Sequence, residues 1–101
     1  MKQAKLEQRD SETYQLSGEL TMQNVPQVAR DSEAMVNAMS GEVVIVLSEV
    51  SRADSAGLAM LIDWLRIAKQ RQFSLKFEAL PGQLMQIARI SELDHILPLN
   101  H

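Results

Sequence analysis

The clearest capacity for chemistry lies in the segment 50–61, where a hydroxyl group stands between an apolar strand and an apolar helix. Ser55 occupies the point at which a short loop is predicted to enter that helix. The first turn of a helix leaves backbone N–H groups without intrahelical partners, and these groups attract negative charge. A serine at this point suits contact with a protein partner, and it also suits accepting a phosphate.

Three interpretations of Ser55 stay open on the residues alone. In the first, Asp54 or Ser55 only caps the helix. In the second, Ser55 accepts a phosphate, which gains from the helix dipole but places negative charge beside Asp54 and could switch a docking surface off. In the third, the unmodified hydroxyl meets a partner. Gly57 is compatible with all three, because it lets another backbone approach closely.

The other residues that could carry chemistry argue against catalysis. Ser55 lies outside a G-x-S-x-G motif, and the chain has no G-x-x-x-x-G-K-[ST] loop. The two histidines, His95 and His101, both lie near the C-terminus. The chain has no cysteine, and no set of His, Asp and Glu has the spacing of metal ligands. We therefore predict a protein-binding module that is not an enzyme and uses neither a metal nor a cofactor.

Length and composition favour a single small domain. The 101 residues are enough for one domain with one core, so 1–101 is predicted to fold as one unit. A net charge of −3 without a basic tract argues against nucleic-acid binding. No apolar stretch approaches the ~18 residues of a membrane span, and polar residues follow Met1 where a signal peptide would be apolar. We expect a cytoplasmic protein that would serve any membrane process through a partner.

Apolar periodicity predicts the order strand, strand, helix, strand, helix, strand, helix, with a short final turn or helix. The predicted strands are 4–9, 13–17, 43–47 and 73–77, with a hairpin turn at 10–12, and the second helix is 56–70. Asn24 is predicted to cap the first helix with Pro26 in its first turn, and Pro81 and Gly82 open the third. This order predicts an α/β domain with a mixed sheet, parallel central strands and three to four packed helices.

The central strand positions the Ser55 loop. The continuous apolar run 43–47 is typical of a strand covered on both faces. The loop 54–57 follows this strand, so it should lie at the carboxyl edge of the sheet, where such domains bind ligands and partners. Gly18 is predicted either to end the second strand or to permit a tight bend there.

The second helix has more apolar surface than one side of a sheet requires. One face is predicted to pack on the sheet and consists of Leu58, Leu61, Ile62, Leu65 and Ala68. Met60, Trp64 and Ile67 form a further stripe beside it. Either neighbouring helices cover this stripe, or it is partly exposed and forms one docking surface with the Ser55 loop. The second interpretation gives the predicted partner-binding set Asp54, Ser55, Ala56, Gly57, Met60, Trp64 and Ile67.

Two segments resemble a known family. The segment 16–20, Leu-Ser-Gly-Glu-Leu, and the segment 50–58 around Asp54 and Ser55 look like those of a STAS domain. This is the fold of anti-sigma-factor antagonists and of the cytoplasmic tails of sulfate transporters. The resemblance covers essentially the whole chain and implies that Ser55 stands where the antagonists carry their phosphorylated hydroxyl residue.

Within the family, the chain is most similar to the MlaB group, the small STAS subunits of bacterial phospholipid ABC transporters. That resemblance implies a cytoplasmic subunit held at the inner membrane by an ATPase of the MlaF type and, through it, a permease of the MlaE type. Such a subunit supports the ATPase and contributes to outer-membrane lipid asymmetry. The chain has Ser55 where the MlaB group usually has threonine, and Ala56 where the antagonists commonly have a second hydroxyl. The serine keeps open the alternative of an antagonist switched by phosphorylation, with a serine kinase or anti-sigma factor as partner.

Overall fold

The elements of the computed structural model, which describes residues 3–99, follow the predicted order. They are β1 (Lys5–Gln8), β2 (Thr13–Leu20), α1 (Val25–Asn37), β3 (Glu42–Ala53), α2 (Ser55–Arg71), β4 (Ser74–Glu78), α3 (Gly82–Ile90) and a 3₁₀ turn, η1 (Asp94–Ile96). His101, named above among the histidines, lies outside the described residues. None of the helices in the described range is both long and apolar enough to cross a membrane.

The four strands form one mixed sheet in the order β1-β2-β3-β4. β1 and β2 pair antiparallel through a hairpin, and β2, β3 and β4 pair in parallel. The side chain of Asp10 holds the hairpin turn by accepting hydrogen bonds from the backbone N–H groups of Glu12 at 2.9 Å and Thr13 at 2.8 Å. These bonds, led by the one from Glu12, lower the pKa of Asp10. The predicted α/β class, with parallel central strands, is confirmed.

The core lies on one face of the sheet. Alternate residues of β2 and β3 are buried, and the buried members include Leu16, Ile45 and Leu47, each with no exposed surface. The residues between them, including Val44 and Val46, are only half-buried. The prediction that the strand 43–47 is covered on both faces was therefore wrong: the helices cover one face, and the valines of the other face lie half-buried between the paired strands β2 and β4.

The two central strands run further than predicted. β2 continues past Gly18 to Leu20, and β3 continues to Ala53. The pairing of the two strands shifts register on either side of Gly18, whose φ is +91°. A Cβ atom at Gly18 would lie 2.4 Å from the carbonyl oxygen of Gln3. The bend that glycine permits therefore falls inside the strand, where the N-terminal segment crosses close to it.

Three chain reversals are made by residues other than glycine. Gln72 ends α2 with φ 62°, Ala79 follows β4 with φ 57°, and Glu92 follows α3 with φ 59°. All three have the left-handed backbone conformation that glycine adopts at least cost. At the end of α2, the backbone N–H of Phe73 donates to the carbonyl oxygen of Ala68 at 3.0 Å, which closes the last turn.

Candidate functional site

Asp54 joins two segments at the carboxyl edge of the sheet. One carboxylate oxygen, Oδ1, accepts a hydrogen bond from the backbone N–H of Ala56 at 2.9 Å and caps α2. The other, Oδ2, accepts from the backbone N–H of Met22 at 2.9 Å, in the loop between β2 and α1. The backbone N–H of Asp54 donates to the carbonyl oxygen of Leu20 at 3.0 Å. One acidic residue thus fixes the start of α2 against the β2–α1 loop.

Ser55 is the first residue of α2, one position earlier than predicted, and it is exposed. Ala56 beside it is half-buried, and Ala59, one turn further along, is exposed. The predicted capping role thus belongs to Asp54, and the side chain of the exposed Ser55 makes no hydrogen bond to any residue in 3–99. The neighbouring side chains of Ala56 and Ala59 are small, so the start of the helix is accessible.

Gly57 lies in the interior of the fold and not on its surface. It is buried, and a Cβ atom at this position would lie 2.8 Å from both the Cβ and the carbonyl oxygen of Leu20. The close backbone approach predicted for Gly57 is therefore real, but it occurs between α2 and the end of β2 in the same chain. The role of Gly57 in partner binding stays a prediction.

The proposed exposure of the Met60, Trp64 and Ile67 stripe was wrong for two of its three members. Met60 is 5% exposed and Trp64 is 4% exposed, while Ile67 is half-buried. The physical reason is that α1 packs beside α2, so a neighbouring helix covers the extra apolar stripe. A shallow groove of about 570 Å³ remains between the two helices, with Met60 and Trp64 in its lining.

The residue that the sequence analysis missed is Met22. Its side chain is 74% exposed, although its backbone is held by Asp54. It borders a polar groove of about 670 Å³, which Gln23, Arg52 and Gln83 also line. The sequence did contain a signal, since Met22 is an apolar side chain within the polar run Thr-Met-Gln-Asn between two predicted elements.

No metal site is assembled among the described residues. No three His, Cys, Asp or Glu side chains within 3–99 stand close enough to hold a metal ion. His95 lies in the turn η1 near the end of the chain and makes no described contact with Ser55. At this edge the described residues present the accessible hydroxyl of Ser55, the exposed thioether of Met22 and the guanidinium group of Arg52.

We expect Asp54→Ala to destabilise the fold by about 2 kcal/mol, because it removes a helix cap and leaves the Met22 N–H without its acceptor. The measurement is urea unfolding followed by circular dichroism. Asp63→Ala is the matched control on the same helix, since Asp63 makes only an exposed ion pair with Arg66 at 3.5 Å. Equal free energies of unfolding for the two variants would contradict the bridging role of Asp54.

Comparison with known proteins agrees with this geometry. A family model described as "Mlab, STAS domain" matches residues 5–98. A Thermotoga maritima structure, assigned as an anti-sigma factor antagonist, is 18% identical with a TM-score of 0.75, over 93% of this chain and 82% of that chain. An anti-sigma-factor antagonist (STAS) domain protein from Planctomyces limnophilus is 15% identical with a TM-score of 0.74, over 95% and 89% of the two chains. At these identities the two structures show the shared fold alone. No curated protein matches the chain in sequence.

Proposed function

The chain belongs to the STAS domain family, and from that premise we propose that it is a non-catalytic, cytoplasmic accessory subunit of a phospholipid ABC transporter. In this role it binds the MlaF-type ATPase subunit and supports its assembly and activity. The chain is then held at the inner membrane indirectly, because it binds the ATPase and the ATPase binds the MlaE-type permease. The observation that carries the proposal is the match of residues 5–98 to the family model described by MlaB.

The geometry of the site supports a docking role. We define the Ser55 surface as the exposed or half-buried groups at the start of α2 and in the adjoining loop, namely Met22, Gln23, Ser55, Ala56 and Ala59. Its backbone is fixed by the bonds of Asp54, so little conformational freedom is lost when a partner binds. The small side chains of Ala56 and Ala59 allow close approach of another protein. Ser55 is the first residue of α2 and lies between these alanines and the loop of Met22 and Gln23 in the chain.

The experiment that tests this function is affinity capture from solubilised native membranes with the tagged wild-type chain, followed by mass spectrometry. We expect the MlaF-type ATPase and the MlaE-type permease to be captured in stable ratio. Capture of the ATPase from a strain that lacks the permease should persist, because the ATPase is the direct partner. Recovery of neither transporter subunit would overturn the proposed function.

One observation favours a second candidate, an anti-sigma-factor antagonist switched at Ser55. The Ser55 hydroxyl is exposed and unbonded among residues 3–99, so a serine kinase could reach it. A phosphate there would add about two negative charges beside the Asp54 carboxylate. That carboxylate already accepts hydrogen bonds from the backbone N–H groups of Met22 and Ala56. This candidate requires phosphorylated Ser55 in cells and capture of a serine kinase or an anti-sigma factor in place of the transporter subunits.

A further inference from the structure

Met22 is the most exposed methionine in the part of the chain that the structure describes. It is 74% exposed, whereas Met39 is 4% and Met60 is 5% exposed, and Met35 and Met85 are half-buried. The thioether of a methionine reacts with a peroxide only where the oxidant reaches the sulfur atom. Exposure therefore favours oxidation of Met22 over that of the other four methionines in residues 3–99.

The backbone around Met22 keeps this side chain at the surface. The N–H of Met22 donates to Oδ2 of Asp54 at 2.9 Å. The carbonyl oxygen of the preceding Thr21 accepts from the N–H groups of Asn24 at 2.9 Å and Val25 at 2.8 Å. These bonds fix the turn on both sides of Met22, so the thioether stays accessible to a small oxidant.

We propose that Met22 is a reversible oxidation site through which hydrogen peroxide weakens docking at the Ser55 surface. A lone pair of the sulfur attacks one oxygen of the peroxide, an S–O bond forms and the O–O bond breaks. The departing hydroxide takes the proton of the transferred oxygen and leaves as water, so the thioether is oxidised to a sulfoxide and the peroxide is reduced. A sulfoxide reductase reverses the change, with two thiols oxidised to a disulfide and the oxygen released as water.

The groove beside Met22 contains donors for the new oxygen. A thioether sulfur is a weak hydrogen-bond acceptor, whereas the oxygen of a sulfoxide is polar and accepts well. Arg52 and Gln83 carry side-chain N–H groups and line the same groove as Met22. Glu19 and Asp54 also line it, and their carboxylates are acceptors that offer no donor. Donors of the chain itself therefore compete with a partner for the oxidised side chain, and the fold need not open to solvate it.

The expected effect on docking follows from the change in polarity. This inference rests on the proposed function, because it takes the Ser55 surface as the contact with the MlaF-type ATPase. A methionine supplies an adaptable apolar contact at a protein interface, and its sulfoxide brings a polar oxygen that must lose its water there. An ATPase that covers Met22 should also shield the thioether from peroxide, so binding and oxidation oppose each other.

The first part of the test treats the purified full chain with hydrogen peroxide and follows each methionine by peptide mass spectrometry. We expect the sulfoxide to form about tenfold faster at Met22 than at Met39 or Met60, because both of these are buried. Oxidation of Met22 alone should leave the Tm within about 2 °C of that of the untreated chain. Equal rates of oxidation at Met22 and Met39 would overturn the assignment of the site, whatever the partner.

The second part measures, by calorimetry, binding of the oxidised chain, freed of peroxide, to the purified MlaF-type ATPase of the same genome. We expect about fivefold weaker binding than for the untreated chain, and treatment with a methionine sulfoxide reductase should restore the affinity. Met22→Leu is the matched control, because it keeps the apolar volume without the sulfur. It should bind within about threefold of wild type and keep that affinity after peroxide.

The two possible failures are distinguishable. A chain that is oxidised at Met22 and binds the ATPase as tightly as before would overturn the regulatory role and leave the proposed function intact. Absence of binding by the untreated chain would overturn the proposed function and, with it, the effect of oxidation on docking.

Discussion

Ser55→Arg is expected to weaken binding of the chain to the ATPase subunit by at least about 100-fold, with no measurable loss of fold stability. The hydroxyl is exposed at the first turn of α2 and bonds to no other residue in the described range, so the arginine side chain can extend into solvent in the free protein. In the proposed complex, the same side chain would have to enter a closely packed contact beside Ala56 and Ala59.

The matched control places the same side chain on the same helix. Gln70 is exposed in the last turn of α2, ~22 Å along the helix axis from Ser55. Gln70→Arg should bind the ATPase as wild type does, because it adds the charge away from the Ser55 surface. Thermal unfolding of both variants should match wild type within about 2 °C. Equal loss of binding in the two variants would indicate an effect of net charge and would contradict a contact at Ser55.

Gly57→Ala is expected to lower the free energy of unfolding by about 2 kcal/mol and the Tm by about 10 °C. The added methyl group would lie 2.8 Å from the carbonyl oxygen of Leu20, which is backbone and cannot rotate away. Helix α2 would have to shift outward from the end of β2. Alanine's better helix propensity, worth up to about 1 kcal/mol, offsets part of this cost.

Gly82→Ala separates the packing effect from helix propensity. Gly82 is the first residue of α3, and a Cβ atom there would meet nothing within 4 Å. This change should leave stability unchanged or raise it by a few tenths of a kcal/mol. Differential scanning calorimetry of the two variants checks both expectations. A Gly57→Ala protein as stable as wild type would show that α2 does not depend on close contact with Leu20.

The order and type of the elements were predictable, because the apolar spacing in each segment follows one period. The ends of the central strands were not. Residues 48–53 expose Ser48, Glu49, Ser51 and Arg52 and bury only Val50 and Ala53, so the alternation is interrupted. Pairing with β2, through register shifts around Gly18, keeps this segment in the sheet. Such irregular pairing depends on the partner strand and leaves no periodic signal in the segment itself.

The candidate site was predictable where it depends on local sequence. Asp54 and Ser55 follow from the helix-start pattern, and their placement at the edge of the sheet follows from the strand before them. Whether the stripe of Met60, Trp64 and Ile67 is buried or exposed was not predictable. The sequence of a helix with two apolar stripes does not show whether a neighbouring helix covers the second stripe. The position of Met22 beside Asp54 was also not predictable, because it depends on a hydrogen bond between residues 32 apart in the chain.

The left-handed residues at the ends of α2, β4 and α3 have a consequence for evolution and for engineering. Gln72, Ala79 and Glu92 each pay a conformational penalty that glycine would avoid, roughly 1 kcal/mol apiece before the greater freedom of glycine in the unfolded chain is subtracted. Substitution by glycine at any of these three turns could therefore stabilise the fold, and none of the turns lies on the Ser55 surface. Such stabilising substitutions could offset destabilising changes on the Ser55 surface during evolution. The specificity for a partner could then change while the fold is retained.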